Sequence, residues 1–282
     1  MGRFMFINFQ HAAANTILNH MKYFLPLILL AIPLSIYFLR SSPAIEKPPA
    51  STDSPSLRTF ASSFETVEDF KPFYIVPPNH MDTASHEQSR ERVRSGTYAH
   101  KGWIYGENPV SGFKNNNHRA YPTIQFQKTA QGILRGPIEA TFWVWVDAEL
   151  KPRRPENDWL SLATFTSDPS DEWKRTVLVN LSHDGLVHLM HVPDQGKAEY
   201  LYQNTELKFP QRRWVKLRVY LDSDPENGYA KVWQDGVLVS HAKVRGGNGT
   251  LAQAHFGLYA PPWLSSGTVY NDDLVIREVR GE

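Results

Sequence analysis

Residues Arg213–Asp235 read RWVKLRVYLDSDPENGYAKVWQD. From Val215 to Leu221, apolar side chains alternate with polar ones, which is the pattern of a strand with one buried face and one wet face. Residues Asp224–Gly228 (DPENG) have turn chemistry, and the alternation restarts after them. A second turn at Asp235-Gly236 leads into the apolar run VLV. The stretch and its continuation therefore predict three antiparallel strands joined by tight turns.

The body of the chain, residues 58–282, repeats this kind of pattern many times. Strong examples are Ile138–Asp147 (IEATFWVWVD) and Ala252–Tyr259 (AQAHFGLY). Turn residues separate the strand patterns, helical periodicity is almost absent, and no internal repeat indicates a propeller or a solenoid. We therefore expect an all-β fold, a two-sheet antiparallel jelly-roll sandwich.

Composition limits the classes of function. The chain has 282 residues, of which 41% are hydrophobic and 12% aromatic, enough for one large domain and a tail. It contains no cysteine, which excludes a disulfide framework and a thiolate site. The formal net charge is +1 with both signs spread along the body, so no basic stripe indicates binding to nucleic acid.

An uncharged apolar run, Tyr23–Leu39 (YFLPLILLAIPLSIYFL), stands near the N-terminus. A helix of this length spans about 25 Å, the lower limit for crossing a bilayer. Arg3 and Lys22 precede the run and no acidic residue does, which favours an N-terminus on the cytoplasmic side. We predict a signal anchor, with a cleaved signal peptide as the alternative.

This organisation predicts four segments along the chain. Residues 40–57 are rich in proline and small polar residues, cannot build a core and are typical of a flexible spacer. We expect the domain after the spacer to lie outside the cytoplasm, in the periplasm or the extracellular space, with the membrane as one partner. The segments are a cytoplasmic tail (1–22), a transmembrane signal anchor or signal peptide (23–39), a linker (40–57) and the jelly-roll domain (58–282).

The hairpins of the opening stretch resemble those of a known superfamily. A strand with an aromatic start, an Asn-Gly turn and a strand that ends in Trp233-x-Asp235-Gly236 resemble the penultimate hairpins of concanavalin A-like and laminin-G-like jelly rolls. The resemblance implies recognition of a polysaccharide or oligosaccharide.

One strand pattern presents a row of polar side chains suited to sugar hydroxyls. Thr123, Gln125 and Gln127 alternate along residues 120–127, whereas a plain solvated strand face is usually charged. Aromatic rings that could stack on sugars include Trp103, which flanks a loop, and Trp145 on the aromatic strand, although burial in the core is an equally ordinary role for tryptophan. The alternative for the polar row is an ordinary exposed strand.

A second motif resembles an enzyme family. His255-Phe-Gly-Leu-Tyr259 is similar to the last signature of jelly-roll polysaccharide lyases of the alginate and glucuronan type, in which a lysine-containing strand ends in Gly-Val/Ile-Tyr. The resemblance implies that Tyr259 is the base or acid of β-elimination and that His255 stands at the lysine position. It also places Asn180-Leu181-Ser182, the segment next to His183, near the family's Gln-Ile/Val-His, and Arg119 at the start of the family's Arg-x-Glu-x-Arg.

The sequence departs from that family at several positions. Tyr121 and Thr123 stand where a glutamate and a second arginine are expected, and the lysine is absent. β-Elimination needs a positive or amide group to neutralise the uronate carboxylate as the C5 proton leaves. Candidates in this chain are Arg119, Asn180 and Asn117.

Three histidines lie close together in the sequence, at His183, His188 and His191. His188 and His191 point to opposite faces of one strand, so a shared zinc ion is not expected. Either His183 or His188 is a candidate to share proton transfer with Tyr259. Glycoside hydrolysis is not expected either, because no Glu-x-Asp-x-x-Glu spacing places two carboxylates on one strand face.

Acidic residues near both ends of the domain resemble the structural calcium position of many carbohydrate-binding sandwiches, and the resemblance implies a calcium ion. Asp272 and Asp273 open the last strand pattern, and Glu65 stands near the start of the domain. Oxygen ligands of this kind suit calcium, whereas an Asx turn before the closing strand is the alternative.

Two classes of function are therefore expected from the sequence. The first is a membrane-tethered carbohydrate domain that binds or β-eliminates a uronate-containing glycan, with Gln125, Asn180 and Arg119 holding the sugar. The second is a non-catalytic module, either lectin-like or protein-binding as in laminin-G-like domains.

Overall fold

The computed structural model describes residues 56–70, 73–74, 83–108, 117–154, 156–170, 172–193 and 197–281. The predicted tail (1–22), the membrane segment (23–39) and most of the linker (40–57) lie outside the described residues. Within the described ranges, no helix is long and apolar enough to cross a bilayer.

The described residues form two eight-stranded antiparallel sheets and a small two-stranded sheet. One short helix, α1, spans Val67–Phe70. The strands are β1 (Thr59–Ser62), β2 (Phe73–Tyr74), β3 (Ala84–Ser89), β4 (Ala99–Ile104), β5 (His118–Ala120), β6 (Thr123–Gln125), β7 (Leu134–Arg135), β8 (Ile138–Asp147), β9 (Trp159–Thr166), β10 (Thr176–Ser182), β11 (Val187–Val192), β12 (Glu199–Leu201), β13 (Val215–Asp222), β14 (Tyr229–Gln234), β15 (Val237–Lys243), β16 (Thr250–Leu251), β17 (Gln253–Ala260) and β18 (Gly267–Glu278).

The strand order defines the two layers. The first sheet runs β15-β14-β13-β8-β18-β4-β3, with β1 also paired to β18, and we call it the back sheet. The second runs β12-β11-β10-β9-β17-β6-β2, with β5 also paired to β17, and we call it the cleft sheet. Neighbours in space are often distant in sequence, as in β8 beside β18 and β9 beside β17. The all-β, two-sheet antiparallel prediction is confirmed.

The opening stretch and its continuation form three antiparallel strands as predicted, and these strands lie at one edge of the back sheet. Strand β13 pairs with β14, and β14 pairs with β15. The Asp224 carboxylate accepts the backbone N–H groups of Glu226 and Asn227, which fixes the first turn. Asp235 and Gly236 both have positive φ, at 48° and 88°, as a tight two-residue hairpin turn requires.

The core lies between the two sheets and is built from the apolar half of each alternation. Phe142 of the back sheet meets Phe256 of the cleft sheet edge to face, with 5.0 Å between ring centroids, and both rings are almost fully buried. Phe165 contacts Phe256 from the next strand in the same way, at 5.7 Å. Since these rings fill one face of each strand, the opposite face of the cleft sheet is left for the site.

The predicted continuous strand over residues 120–127 is divided in the structure. β5 ends at Ala120, Tyr121-Pro122 separates it from β6, and a 3₁₀ turn at Phe126–Lys128 follows. Proline lacks the N–H that a sheet ladder needs, which accounts for the break.

Candidate active site

A cleft of about 640 Å³ lies on the outward face of the cleft sheet. Strand register explains which residues line it, because residues directly opposite each other on antiparallel strands point to the same face. Side chains that alternate with the core residues of β5, β6, β17, β9, β10 and β11 therefore line up in rows across the sheet.

The first row crosses five strands and contains most of the predicted catalytic residues. Tyr259 is opposite Arg119 on one side and Ser161 on the other. Ser161 is opposite Asn180, and Asn180 is opposite His188. The register thus brings residues that are up to 140 positions apart in sequence, Arg119 and Tyr259, into direct cross-strand contact.

Two further rows run beside the first. One contains Thr123, His255, Thr164, Leu178 and Met190. The other contains Gln125, Gln253, Thr166, Thr176 and Val192. All of these side chains line the cleft except Thr166.

A β-bulge keeps the rows aligned. The pairing of β17 with β9 shifts between Phe256 and Tyr259, where Gly257 adopts a φ of 140°. A Cβ atom at Gly257 would stand 2.8 Å from the backbone oxygen of Ala120 and 2.8 Å from the Cβ of Tyr121. Glycine is therefore required here by both φ and space, and it lets the Tyr121 side chain lie across the strand.

Tyr259 is held by three neighbours. Asn117 Nδ2 donates a hydrogen bond to the Tyr259 hydroxyl oxygen at 2.8 Å. The Arg119 guanidinium carbon lies 5.7 Å from the Tyr259 ring centroid, and Arg119 Nη1 donates to the backbone oxygen of Asn117. The Trp159 ring packs against Tyr259 edge to face at 5.3 Å. The tyrosine oxygen is thus placed next to an amide donor and a cation.

His255 lies deeper, beneath aromatic rings. Its imidazole stacks on Tyr121, with 3.8 Å between centroids and 12° between planes, and Trp173 lies 5.2 Å away. Burial, and then the nearby Arg119 charge, lower the pKa of His255 to about 3. Burial likewise raises the pKa of Tyr121 above its ordinary value. At neutral pH the centre of the cleft therefore contains a neutral imidazole and a neutral phenol.

The loop between β9 and β10 brings Trp173 over the cleft. Trp173 and Arg175 both have positive φ, at 51° and 55°, which is unusual for residues with side chains. The Asp168 carboxylate accepts the backbone N–H groups of Ser170 and Lys174 and so stabilises this conformation. Trp173 is half-buried beside His255, so one edge of the indole remains accessible to a ligand.

A pair of buried amides closes the other end. Gln125 Nε2 donates to Gln253 Oε1 at 3.2 Å. Gln253 Nε2 in turn donates to the backbone oxygens of Asp168 and Ser170, each at 2.8 Å. Among the described residues, Gln125 Oε1 is buried and has no hydrogen-bond partner. The amide pair therefore joins the Trp173 loop to the floor of the cleft.

The structure separates several residues that sequence reasoning placed together. His188 lies on the outward face, but its ring stacks on Tyr202 at 4.1 Å, outside the cleft lining. His183 is half-buried in the turn after β10 and does not line the cleft. Gln127 falls in the 3₁₀ turn, where it is exposed, so it does not continue the row of Thr123 and Gln125.

Two predicted tryptophans lie on the other sheet. Trp103 is on β4 and Trp145 is on β8, both on the outward face of the back sheet. Lys101 Nζ lies 4.9 Å from the Trp103 ring, and the Arg92 guanidinium lies 5.1 Å from the Trp145 ring. These indoles take part in cation–π contacts on the back of the sandwich and do not line the cleft.

The three acidic residues predicted to bind calcium converge on one loop, residues 94–98. The Asp272 carboxylate accepts two backbone N–H groups of this loop, and the Glu65 carboxylate accepts two others. Asp273 Oδ1 accepts the Ser95 hydroxyl at 2.7 Å. Among the described residues, no group of three or more His, Cys, Asp or Glu side chains has metal-binding geometry. The N–H donors compete with a cation for the same oxygens, and calcium here stays a prediction.

The sequence search missed several residues of the cleft. Tyr121, Trp173 and Gln253 line it, although Tyr121 was considered only as a departure from a motif. Gln253 could have been found, because it stands two residues before His255 on the same strand face. No sequence pattern indicated Trp173, because the position of its ring depends on the conformation of the loop between β9 and β10.

Comparison with known proteins adds information about the fold. No family model and no curated protein sequence matches the chain. The solved structure of endo-beta-1,4-glucuronan lyase from the fungus Trichoderma reesei is similar, with a TM-score of 0.56 and 13% identity over 78% of this chain and 95% of that one. The cellulose induced protein Cip1 is similar to the same degree, with a TM-score of 0.56 and 13% identity over 79% of this chain and 98% of that one. These similarities show that the chain has a jelly-roll sandwich fold.

Proposed function

We propose that the cleft binds a segment of a uronate-containing polysaccharide and that Tyr259 catalyses its cleavage by β-elimination. The observation that carries the proposal is the arrangement around the Tyr259 hydroxyl, which accepts a 2.8 Å hydrogen bond from Asn117 beside the Arg119 guanidinium. The similar fold of a glucuronan lyase supports the same class of substrate.

The chemistry requires a base, an acid and a group that stabilises charge. In β-elimination the C5–H bond breaks, the C4–O bond breaks, a C4=C5 double bond forms, and the departing oxygen takes up a proton. Tyr259 is the residue placed to exchange these protons. Asn117 donates a hydrogen bond to the phenolic oxygen, and the Arg119 guanidinium beside the ring supplies a positive charge that attracts the substrate carboxylate.

The remaining cleft residues are proposed to bind sugar. Gln125 and Asn180 line the cleft, and their amide groups suit sugar hydroxyls. Trp159 and Trp173 supply ring faces for stacking. His188 is buried outside the cleft lining, three strand positions or roughly 14 Å from Tyr259, so we assign it no role in proton transfer at the same bond.

The test is to incubate the full chain with a panel of uronate polysaccharides and to follow absorbance at about 235 nm, where the conjugated product of β-elimination absorbs. Tyr259→Phe removes one oxygen and is expected to reduce the rate on the order of 10²-fold or more. Tyr105→Phe, at an exposed tyrosine outside the cleft lining, is the matched control and should retain activity. Full activity in Tyr259→Phe would exclude the assigned role.

A non-catalytic lectin-like module is the second candidate. It is supported by the departures from the lyase pattern, above all by a neutral His255 where a cation is expected. In that case the polysaccharides would be retained by the protein in an affinity gel without formation of an unsaturated product. A protein-binding module would give neither signal.

We also propose that the domain is tethered to a membrane and lies outside the cytoplasm. The support for this location is the apolar sequence of residues 23–39 and the spacer that follows it. Fractionation of cells that express the full chain, followed by protease treatment of intact cells, tests both statements. Recovery of the whole protein in the soluble cytoplasmic fraction would contradict them.

A further inference from the structure

The floor of the cleft is divided into a polar half and an apolar half. Asn117, just before β5, together with Arg119 on β5 and Tyr259 on β17, forms the polar half. On β10 and β11, Leu178, Met190 and Val192 form the more apolar half, which we call the apolar strip and which Thr176 and Asn180 flank. Register places Leu178 opposite Met190, so the side chains of the strip are contiguous.

The strip is part of an open binding surface. Leu178 is largely buried, whereas Met190 and Val192 are half-buried and contribute to the wall of the cleft. Tyr200, opposite Met190 on the edge strand β12, is 59% exposed and extends the apolar surface outward. A fully hydroxylated, ionised sugar chain gains little binding free energy from such a surface, because apolar contact favours only groups that water solvates poorly.

The charges around the cleft agree with this division. Of the described residues that line it, Arg119 is the cation, and Glu156 and Glu172 are the carboxylates. Glu172 forms an ion pair with Lys174. Glu156 lines the cleft in an exposed position and repels an anionic ligand. The cleft therefore suits a chain that carries few negative charges on the sugars that bind away from Arg119.

The distance between Tyr259 and the apolar strip determines which sugars of a bound chain contact the strip. Leu178 is two strand positions from Tyr259, roughly 10 Å along the sheet. A sugar that reacts at Tyr259 therefore places a sugar one or two units along the chain over Leu178 and Met190.

We infer that the cleft selects a uronate polysaccharide whose sugars carry small ester groups, as methyl esters or O-acetyl groups, and that the apolar strip recognises these groups. The inference rests on the proposed function for the class of polymer, a uronate polysaccharide. It adds that the sugars of this polymer carry ester groups. An ester group removes a charge or covers a hydroxyl and presents a methyl group, which Leu178, Met190 and Val192 can contact.

The experiment measures binding separately from cleavage. Oligosaccharides of fixed length from glucuronate, mannuronate and galacturonate are prepared in free, methyl-esterified and O-acetylated forms, and their dissociation constants for the full chain are measured by tryptophan fluorescence. Each methyl group buried against the strip should strengthen binding about fourfold. The methyl-ester and acetyl arms distinguish the two sources of the ester group.

Substitutions in the strip test which residues are responsible. Val192→Thr keeps the shape of the side chain and adds a hydroxyl, and Met190→Gln keeps its length. Each should reduce the ratio of affinities for esterified and free chains by about two- to fourfold, and this ratio is the quantity compared between the variants. Val237→Thr is the matched control, since Val237 is 48% exposed on the edge strand of the back sheet.

The outcomes separate this inference from the proposed function. Equal or weaker binding of every esterified form, or a preference that survives both substitutions, overturns the inference. Selective binding of esterified chains without an unsaturated product keeps the inference and overturns the lyase reaction. Elimination that is fastest on the unesterified polyuronate keeps the lyase reaction and overturns the inference.

Discussion

Replacement of His255 by glutamine should change how the stability of the domain depends on pH. His255 is 3% exposed and stacks on Tyr121, and burial lowers its pKa to about 3 in the folded state. In the unfolded chain its pKa returns to about 6.5. Below that pH the unfolded state binds a proton that the folded state does not bind. Stability is therefore fully retained above pH 6.5 and is lost as the pH falls towards 3.

The magnitude follows from the two pKa values. Proton uptake by the unfolded state alone destabilises the domain by about 1.4 kcal/mol at pH 5.5 and about 2.7 kcal/mol at pH 4.5, relative to pH 8. His255→Gln cannot be protonated, so it should lack this loss. Its other effects on packing are the same at every pH. The free energy of unfolding of the variant should therefore improve relative to the wild type by these amounts as the pH is lowered.

Urea unfolding, followed by tryptophan fluorescence at pH 8, 5.5 and 4.5, measures the difference. His183→Gln is the matched control, because His183 is a half-buried turn residue outside the cleft. The same substitution there should leave the pH dependence close to that of the wild type. A constant difference between wild type and His255→Gln across the three pH values would refute a neutral, buried imidazole at this position.

Three more outcomes are expected. Gly257→Ala should destabilise the domain by on the order of 1–3 kcal/mol, and by more than Gly136→Ala does. Both glycines have positive φ, but of the two only Gly257 has a backbone atom in the space that a Cβ would occupy. Equal losses of unfolding free energy in chemical denaturation would contradict this packing argument. Burial raises the pKa of Asp272 to about 6, so its ionisation removes stability as the pH rises from about 4 to 7, and Asp272→Asn should compare better with the wild type at pH 7 than at pH 4 in thermal unfolding. The calcium prediction requires a higher midpoint of thermal unfolding with calcium than with a chelator, and a loss of that difference in Glu65→Gln.

The fold could be predicted because its main signals are local. Alternation from Val215 to Leu221 and turn chemistry at Asp224 and Asp235-Gly236 each depend on neighbouring residues, and the structure forms those hairpins. The order of the strands in the sheets, in contrast, could not be predicted from local signals. The pairing of β9 with β17, which creates the site, joins segments that are about ninety residues apart, and no local pattern specifies it.

Alternation predicted which face of a strand a candidate residue lies on, as long as the strand was not interrupted. Tyr259, His255 and Gln125 line the cleft as their alternation indicates. Gln127 does not, because Pro122 and the 3₁₀ turn interrupt the strand. Trp145 follows its alternation faithfully, but the alternation does not say which sheet the strand joins.

The position of His255 limits how this cleft can treat a uronate. In the lyases that it resembles a lysine is expected there, and a lysine would bring a positive charge to the sugar. Here the side chain is stacked beneath Tyr121 and is neutral at ordinary pH, and its buried Nδ1 has no hydrogen-bond partner among the described residues. Charge stabilisation in the described part of the cleft therefore falls to Arg119. An esterified carboxyl group needs less of that stabilisation when its C5 proton is removed, because it carries no charge of its own. The single cation among the described lining residues, the neutral histidine and the apolar strip therefore all favour the esterified polysaccharide that we propose as the substrate.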